Sequence, residues 1–165
     1  MGFFDKLFGK SEKSKSDHIY APIAGQVVSL TEVPDPVFAE GMLGNGVAIL
    51  PAEGRVCAPA EGIVSMMFDT GHAVSITSVN GAEILIHVGL ETVTLQGKPF
   101  VIHVENGEKV KKGQLLLEVD LQAIEAAGLP TITPVIICNS DDYVKFDGIT
   151  GQTVANGDII IELMR

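Results

Sequence analysis

Thr70-Gly71-His72-Ala73-Val74-Ser75-Ile76-Thr77-Ser78-Val79-Asn80-Gly81-Ala82-Glu83-Ile84-Leu85-Ile86-His87-Val88-Gly89 sets two β-branched, alternating runs on either side of an Asn-Gly pair. That dipeptide is the strongest short-range signal for a two-residue type I′ hairpin. With Asn80 and Gly81 as the turn, Val79 faces Ala82, Val74 faces His87 and His72 faces Gly89. Opposed side chains share a face, so His72 and His87 become diagonal neighbours. Such neighbours lie about 7–8 Å apart at the backbone, within reach for ring side chains.

Two imidazoles on one face repel if both are protonated, so at least one is expected to be neutral and to present a lone pair. Two chemistries fit such a pair. One is a zinc site with imidazole ligands; the other is a nucleophilic imidazole that carries a covalent group, assisted by its neighbour. The zinc reading finds no third ligand at recognisable spacing, because HExxH, CxxC and clustered carboxylates are missing beside the pair. Metal-dependent hydrolysis therefore needs a ligand the spacing does not supply. A lipoyl- or biotinyl-type carrier is disfavoured, since no lysine sits at a hairpin tip in a Gly-x-Lys or Met-Lys-Met setting.

With 165 residues, 46% hydrophobic and 19% charged, the chain fits one globular domain. It has no apolar run near the roughly 18 residues needed to span a bilayer, and no signal peptide pattern. A soluble, cytoplasmic protein is expected. The formal net charge of −10 argues against nucleic acid as a partner and towards a basic protein surface. Cys57 and Cys138 stand apart in apolar runs, which predicts two reduced, packed thiols.

Residues 1–17 read as a segment before the domain, which is expected to span 18–165. Met1, Phe3, Phe4, Leu7 and Phe8 form an apolar stripe at helical spacing beside Lys6 and Lys10, ahead of a polar tract from Ser11 to Asp17. A peripheral membrane contact through residues 1–10 and a frayed terminus both fit that pattern. The body then repeats itself. Ala21-Pro22-Ile23-Ala24-Gly25-Gln26-Val27-Val28-Ser29 returns as Ala58-Pro59-Ala60-Glu61-Gly62-Ile63-Val64-Ser65, and the Gly-x-x-Val-x-x-Gly-x-x-x-x-Glu pattern of 107–118 returns at 151–162. Such duplication predicts an all-β, antiparallel sandwich of two related halves with one or two short helices.

Between the first two copies, residues 33–46 form a loop with at most one helical turn, opened by Pro34 and Pro36 and closed by three glycines. Its Phe38, Met42 and Leu43 are more apolar than a loop requires, which suits either packing beneath the loop or an exposed rim. The clear helix is Leu121–Ala127, with Asp120 as N-cap, Gly128 at the left-handed end position and Pro130 beyond. His18 is expected to face solvent and His103 to be structural.

Taken together, Ile19-Tyr20-Ala21-Pro22, Val33-Pro34-Asp35, Val37-Phe38-Ala39-Glu40, Gly71-His72-Ala73, Glu83-Ile84-Leu85-Ile86-His87-Val88-Gly89 with Thr92-Val93, and Thr131-Ile132-Thr133-Pro134-Val135 resemble the glucose-type enzyme IIA family of the bacterial phosphoenolpyruvate-dependent sugar phosphotransferase system. The likeness covers essentially the whole chain, including the fifteen-residue spacing of the two histidines.

That resemblance implies a phosphoryl carrier. His87 resembles the residue that takes a phosphoryl group from phospho-HPr and passes it to a cysteine of a IIB domain in a membrane sugar permease. His72 resembles the second histidine, which steadies the phosphoryl oxygens. Thr70 corresponds to the hydroxyl that orients His72, and the Gly89 carbonyl to the acceptor that orients His87. Partner docking maps onto Phe38, Met42, Leu43, Phe68, Leu85 and Val93, with Asp35 and Glu91 as carboxylates for a partner's arginine. Glu91 departs from the aspartate of the glucose enzyme. The resemblance requires no cofactor; zinc at His72 and His87 is expected only in complexes. The alternative reading is a regulatory module that docks enzymes or permeases through the same face, switched by the charge of phosphorylation.

Overall fold

The computed structural model describes residues 16–165. The apolar stripe of residues 1–10 lies outside the described residues. Ser16 and Asp17, which the sequence reading placed before the domain, open its first strand. β1 (Ser16–Tyr20) and β2 (Gly25–Ser29) precede α1 (Pro36–Ala39), followed by β3 (Asn45–Pro51), β4 (Arg55–Cys57), β5 (Gly62–Met67), β6 (Ala73–Ser78) and β7 (Glu83–His87). β8 (Phe100–Ile102), β9 (Lys109–Val110) and β10 (Leu115–Val119) lead into α2 (Leu121–Ala126). β11 (Thr133–Ile137), β12 (Lys145–Gly148), β13 (Thr153–Val154) and β14 (Ile159–Met164) follow.

The expected antiparallel all-β architecture forms. One sheet runs β13-β2-β3-β11-β7-β6-β5-β9, and two smaller sheets run β1-β14-β12 and β4-β10-β8. The sequence repeats become equivalent pairings. β13 lies on β2 with Thr153 opposite Gln26, and β9 lies on β5 with Lys109 opposite Ile63. The Ala-Pro copies bond to each other reciprocally, Tyr20 N–H to the Pro59 carbonyl at 2.9 Å and Cys57 N–H to the Pro22 carbonyl at 2.7 Å. Each copy also closes on its own glycine turn: Gly157 N–H donates to Ala21 and Gly113 N–H to Ala58. The two three-stranded sheets are thus counterparts, one from each half.

The large sheet is apolar on both faces where β2, β3, β11 and β7 lie together. Val27, Val47, Ile49, Val135, Ile137, Ile84 and Ile86 point into the main core with Leu116, Leu117 and Ile160. Their alternates Val28, Ala48 and Ile136 form a second cluster with Leu30, Val33, Phe38, Leu90 and Ile132, against which Leu85 packs. The loop over residues 33–46 covers that second face. Asp35 Oδ1 accepts from Val37 N–H at 3.0 Å to cap α1, with Pro36 in the first turn, where a missing donor costs nothing. α2 starts as expected, Asp120 accepting from Ala123 N–H, and ends before Gly128 at φ +79°.

Two expectations are corrected. Cys57 is buried, but Cys138 falls just past β11 and is exposed, because the strand ends at Ile137 and its alternation with it. The β6–β7 hairpin has a three-residue connection, with Ala73 opposite His87 and Ser75 opposite Leu85, one residue away from the register of a type I′ turn. The Gly81 N–H closes on the Ser78 carbonyl at 2.9 Å and only Gly81, at φ +100°, is left-handed. Asp17 explains the choice. Its buried carboxylate accepts from Ser78 Oγ at 2.8 Å and Asn80 Nδ2 at 3.4 Å, while Ser78 Oγ accepts from Ala82 N–H. These bonds hold Ser78 and Asn80 to β1 and favour the longer loop over the tighter turn.

Replacing Asp17 by Ala leaves the Ser78 hydroxyl with its buried acceptor gone. The expected cost is about 1–3 kcal/mol, read as a lower urea midpoint at unchanged slope; an unchanged midpoint would show that the carboxylate does not anchor the loop.

Candidate functional site

His87 ends β7, and the alternation of that strand decides where its ring goes. Ile84 and Ile86 enter the main core, so Glu83, Leu85 and His87 share the other face, beside the second cluster. Ala73 lies opposite His87 and shares that face. Strand parity would then send His72 inward, so the expected diagonal pairing within one ladder does not exist. The rings meet by another route. The chain bends before β6 at Gly71, φ +78°, where a side chain would come within 2.8 Å of Phe100 Cβ and 3.1 Å of Ile102 Cγ1. His72 stands at this bend, tied to the partner strand through Val88 N–H, which donates to the His72 carbonyl at 2.7 Å. The two ring centroids are 5.2 Å apart with planes at 78°.

Each ring has one nitrogen committed. His87 Nδ1 lies 2.7 Å from the Gly89 carbonyl, and because a carbonyl only accepts, Nδ1 carries the hydrogen. In the neutral ring Nε2 then holds the lone pair. His72 Nδ1 pairs with Thr70 Oγ1 at 2.5 Å. Neither Nε2 has a hydrogen-bond partner among the described residues. Burial pushes the pKa of His72 below the ordinary imidazole range, helped by the neighbouring His87. Burial also lowers His87, opposed by its bond to Gly89 and by the charge of Asp35. Both rings are therefore neutral near pH 7.

Among the remaining sequence-assigned residues, two aromatic rings flank the pair and the others differ in exposure. The Phe38 ring lies tilted 5.0 Å from His87 but is only 5% exposed, so it walls the site and belongs to the second cluster. Phe68 stands 5.2 Å from His72 on the other side, partly in solvent. Leu85 is half-buried, whereas Met42 at 66% and Val93 at 48% are open to solvent, as is Leu43. Thus the loop residues divide between the two roles the sequence left open. Asp35 serves first as the cap of α1 and acts on His87 through its charge. Glu91 is exposed and holds a left-handed φ of +62° at the start of a 3-10 turn, Thr92–Leu95.

Three contributors escaped the sequence reading: the bend at Gly71, the Val88 peptide joining the two histidine segments, and the fully buried Thr92. Gly71 beside His72 was a readable signal; Thr92 entered only through the family-like Thr92-Val93 pair, because nothing in Glu91-Thr92-Val93 announces burial. Among the described residues no group of three or more His, Cys, Asp or Glu side chains could hold a metal ion. Two neutral imidazoles alone fill half of a tetrahedral zinc shell.

Residues 17–143 match the family model for the phosphoenolpyruvate-dependent sugar phosphotransferase system, EIIA 1. The glucose-specific EIIA component of Bacillus anthracis is 46% identical over 154 residues, 93% of each chain. The β-glucoside-specific EIIBCA component of Dickeya chrysanthemi is 44% identical over 88% of this chain, which spans 23% of that longer protein. Among solved structures, glucose permease IIA from Mycoplasma capricolum superposes with a TM-score of 0.83 at 34% identity, covering 90% of this chain and 96% of the other.

Both histidines bind protons less readily in the folded chain than in the unfolded one. Below about pH 6.5 the unfolded chain takes up more protons, so stability holds above that value and falls as pH drops towards the depressed folded pKa values. Urea titrations from about pH 8 to about pH 5 should show this loss in the native protein and less of it in a His72→Gln/His87→Gln double variant. An identical decline in both would contradict the neutral pair.

Proposed function

This chain belongs to the phosphoenolpyruvate-dependent sugar phosphotransferase system EIIA 1 family, and from that premise we propose that it carries phosphoryl groups towards glucose uptake on Nε2 of His87. The observation that carries the assignment is the Nδ1–H bond to Gly89 at 2.7 Å, beside a second imidazole 5.2 Å away. It fixes the tautomer that leaves a lone pair on Nε2. That nitrogen bonds to phosphorus as the P–N bond of a donor phosphohistidine on HPr breaks, and the electron pair returns to the donor ring. Delivery reverses the roles, a IIB thiolate forming the S–P bond while the His87 P–N bond breaks.

Phosphoryl transfer passes through a loose transition state, where positioning and electrostatics supply most of the catalysis. With the Thr70 hydroxyl donating to Nδ1, His72 bears its hydrogen on Nε2 and donates it to the phosphoryl oxygens. The apolar walls, Phe38 and Phe68, limit water at a bond that hydrolyses easily. The field at His87 comes from Asp35, a carboxylate, and the chain carries −10 overall. A visiting donor or acceptor then supplies the compensating cation, its arginines pairing with Asp35 and Glu91 across the exposed Met42, Leu43 and Val93. Zinc would need further ligands from such a partner, consistent with its binding only in complexes. A cytoplasmic location suits these partners; no helix among the described residues is long and apolar enough to cross a membrane. The names of the relatives describe sugar-specific components of a PTS system and favour this reading over a purely regulatory docking module.

Incubation with labelled phosphoenolpyruvate, enzyme I and HPr should place acid-labile label on His87. His87→Ala should take none. His72→Gln should accept label but deliver it to IIB about 10²-fold more slowly, the loss typical of one transition-state donor. Label persisting on the His87→Ala protein would overturn the assignment.

A further inference from the structure

We infer that Thr92 is a positioning residue for phosphoryl transfer, clamping the Val88–Gly89 peptide so that the Gly89 carbonyl holds the His87 ring with Nε2 free. The inference rests on the carrier reading above and deepens it. The carbonyl that fixes His87 belongs to a glycine at φ +74°, the least constrained residue type in a conformation others avoid. A glycine carbonyl keeps its direction only if its neighbours hold it. The His87 strand has already ended, so the ladder no longer does so.

Thr92 supplies the hold on two sides. Its hydroxyl donates to the Val88 carbonyl at 2.6 Å, and its Cγ2 lies where a side chain at position 89 would start, 2.7 Å from that point, with the Pro130 carbonyl at 2.8 Å. The preceding peptide's Val88 N–H bonds the His72 carbonyl, and the following peptide, which carries the Gly89 carbonyl, is held through its Leu90 N–H on Pro130 at 3.1 Å. One fully buried threonine therefore fixes the peptide that lies between the one bonded to the His72 segment and the one whose carbonyl holds the His87 ring. Thr92 is presented by the 3-10 turn that begins after Glu91, a non-glycine residue held at φ +62°. Such a conformation persists only where surrounding contacts demand it; here it turns the Thr92 hydroxyl back onto Val88.

Removing the hydroxyl while keeping the shape isolates this role. Thr92→Val should shift the ¹⁵N ring resonances of His87 towards a mixture of tautomers and slow phosphoryl acceptance from HPr about ten- to a hundredfold, the range for residues that orient a reacting group through one intermediate. Thr92→Ser should restore both the tautomer signature and the rate, even if it melts earlier for want of the methyl. If Thr92→Val does not fold, Thr92→Ala against Thr92→Ser makes the same comparison. Native His87 resonances and native transfer rates without the hydroxyl would overturn the inference, as would a serine variant impaired as much as the valine. Failure of the native protein to accept phosphate would instead remove the carrier reading, while the ring resonances would still decide whether Thr92 sets the tautomer.

Discussion

The register of β7 between β6 and β11 is the constraint on which the rest depends. Ile84 and Ile86 are locked into the main core while Leu85 is drawn to the second cluster, so both faces of the strand are specified. A slip by one residue would bury His87 and expose isoleucine, which the apolar surface on each side forbids. The imidazole is thus placed by hydrophobic partition, and its neighbours are left to tune it.

That tuning follows from where β7 stops. Beyond His87 the chain is freed from the ladder, and its carbonyls can face the ring. The Gly89 bond stabilises a protonated Nδ1 while burial disfavours the cation, and together they produce a neutral ring with a known free nitrogen. His72 arrives from a bend, so the pair is assembled from a strand end and a turn. Loop-borne groups held by a rigid sheet are a common way to combine fixed and adjustable parts of a site.

Much of this was legible in the amino-acid order. The repeated Ala-Pro and Gly-x-x-Val-x-x-Gly patterns became equivalent strand pairings because each glycine closes a turn only it accommodates. Asp120 and Gly128 bounded α2 because caps are local chemistry. The hairpin register was not legible, since it turns on Asp17, far away in sequence, competing for Ser78 and Asn80. Strand parity in a type I′ hairpin would bring His72 and His87 together through a ladder that does not pair them; the observed meeting depends on Gly71. Phe38 suited either a packed or a rim position and is packed against His87, whereas Cys138 looked packed but lies one residue past its strand. The hairpin and histidine misses are tertiary contacts overriding a local pattern.

The pairing of β1 with β14 sets Ser16 opposite Met164. First and last strands therefore leave the molecule side by side, next to the Asp17-anchored tip of the β6–β7 hairpin. The imidazoles sit at the other end of that hairpin, about 20 Å away for six extended residues. Ser16 and Met164 therefore lie at the pole remote from the two imidazoles. That arrangement keeps the opening and closing strands of the described domain clear of the face on which the two imidazoles stand.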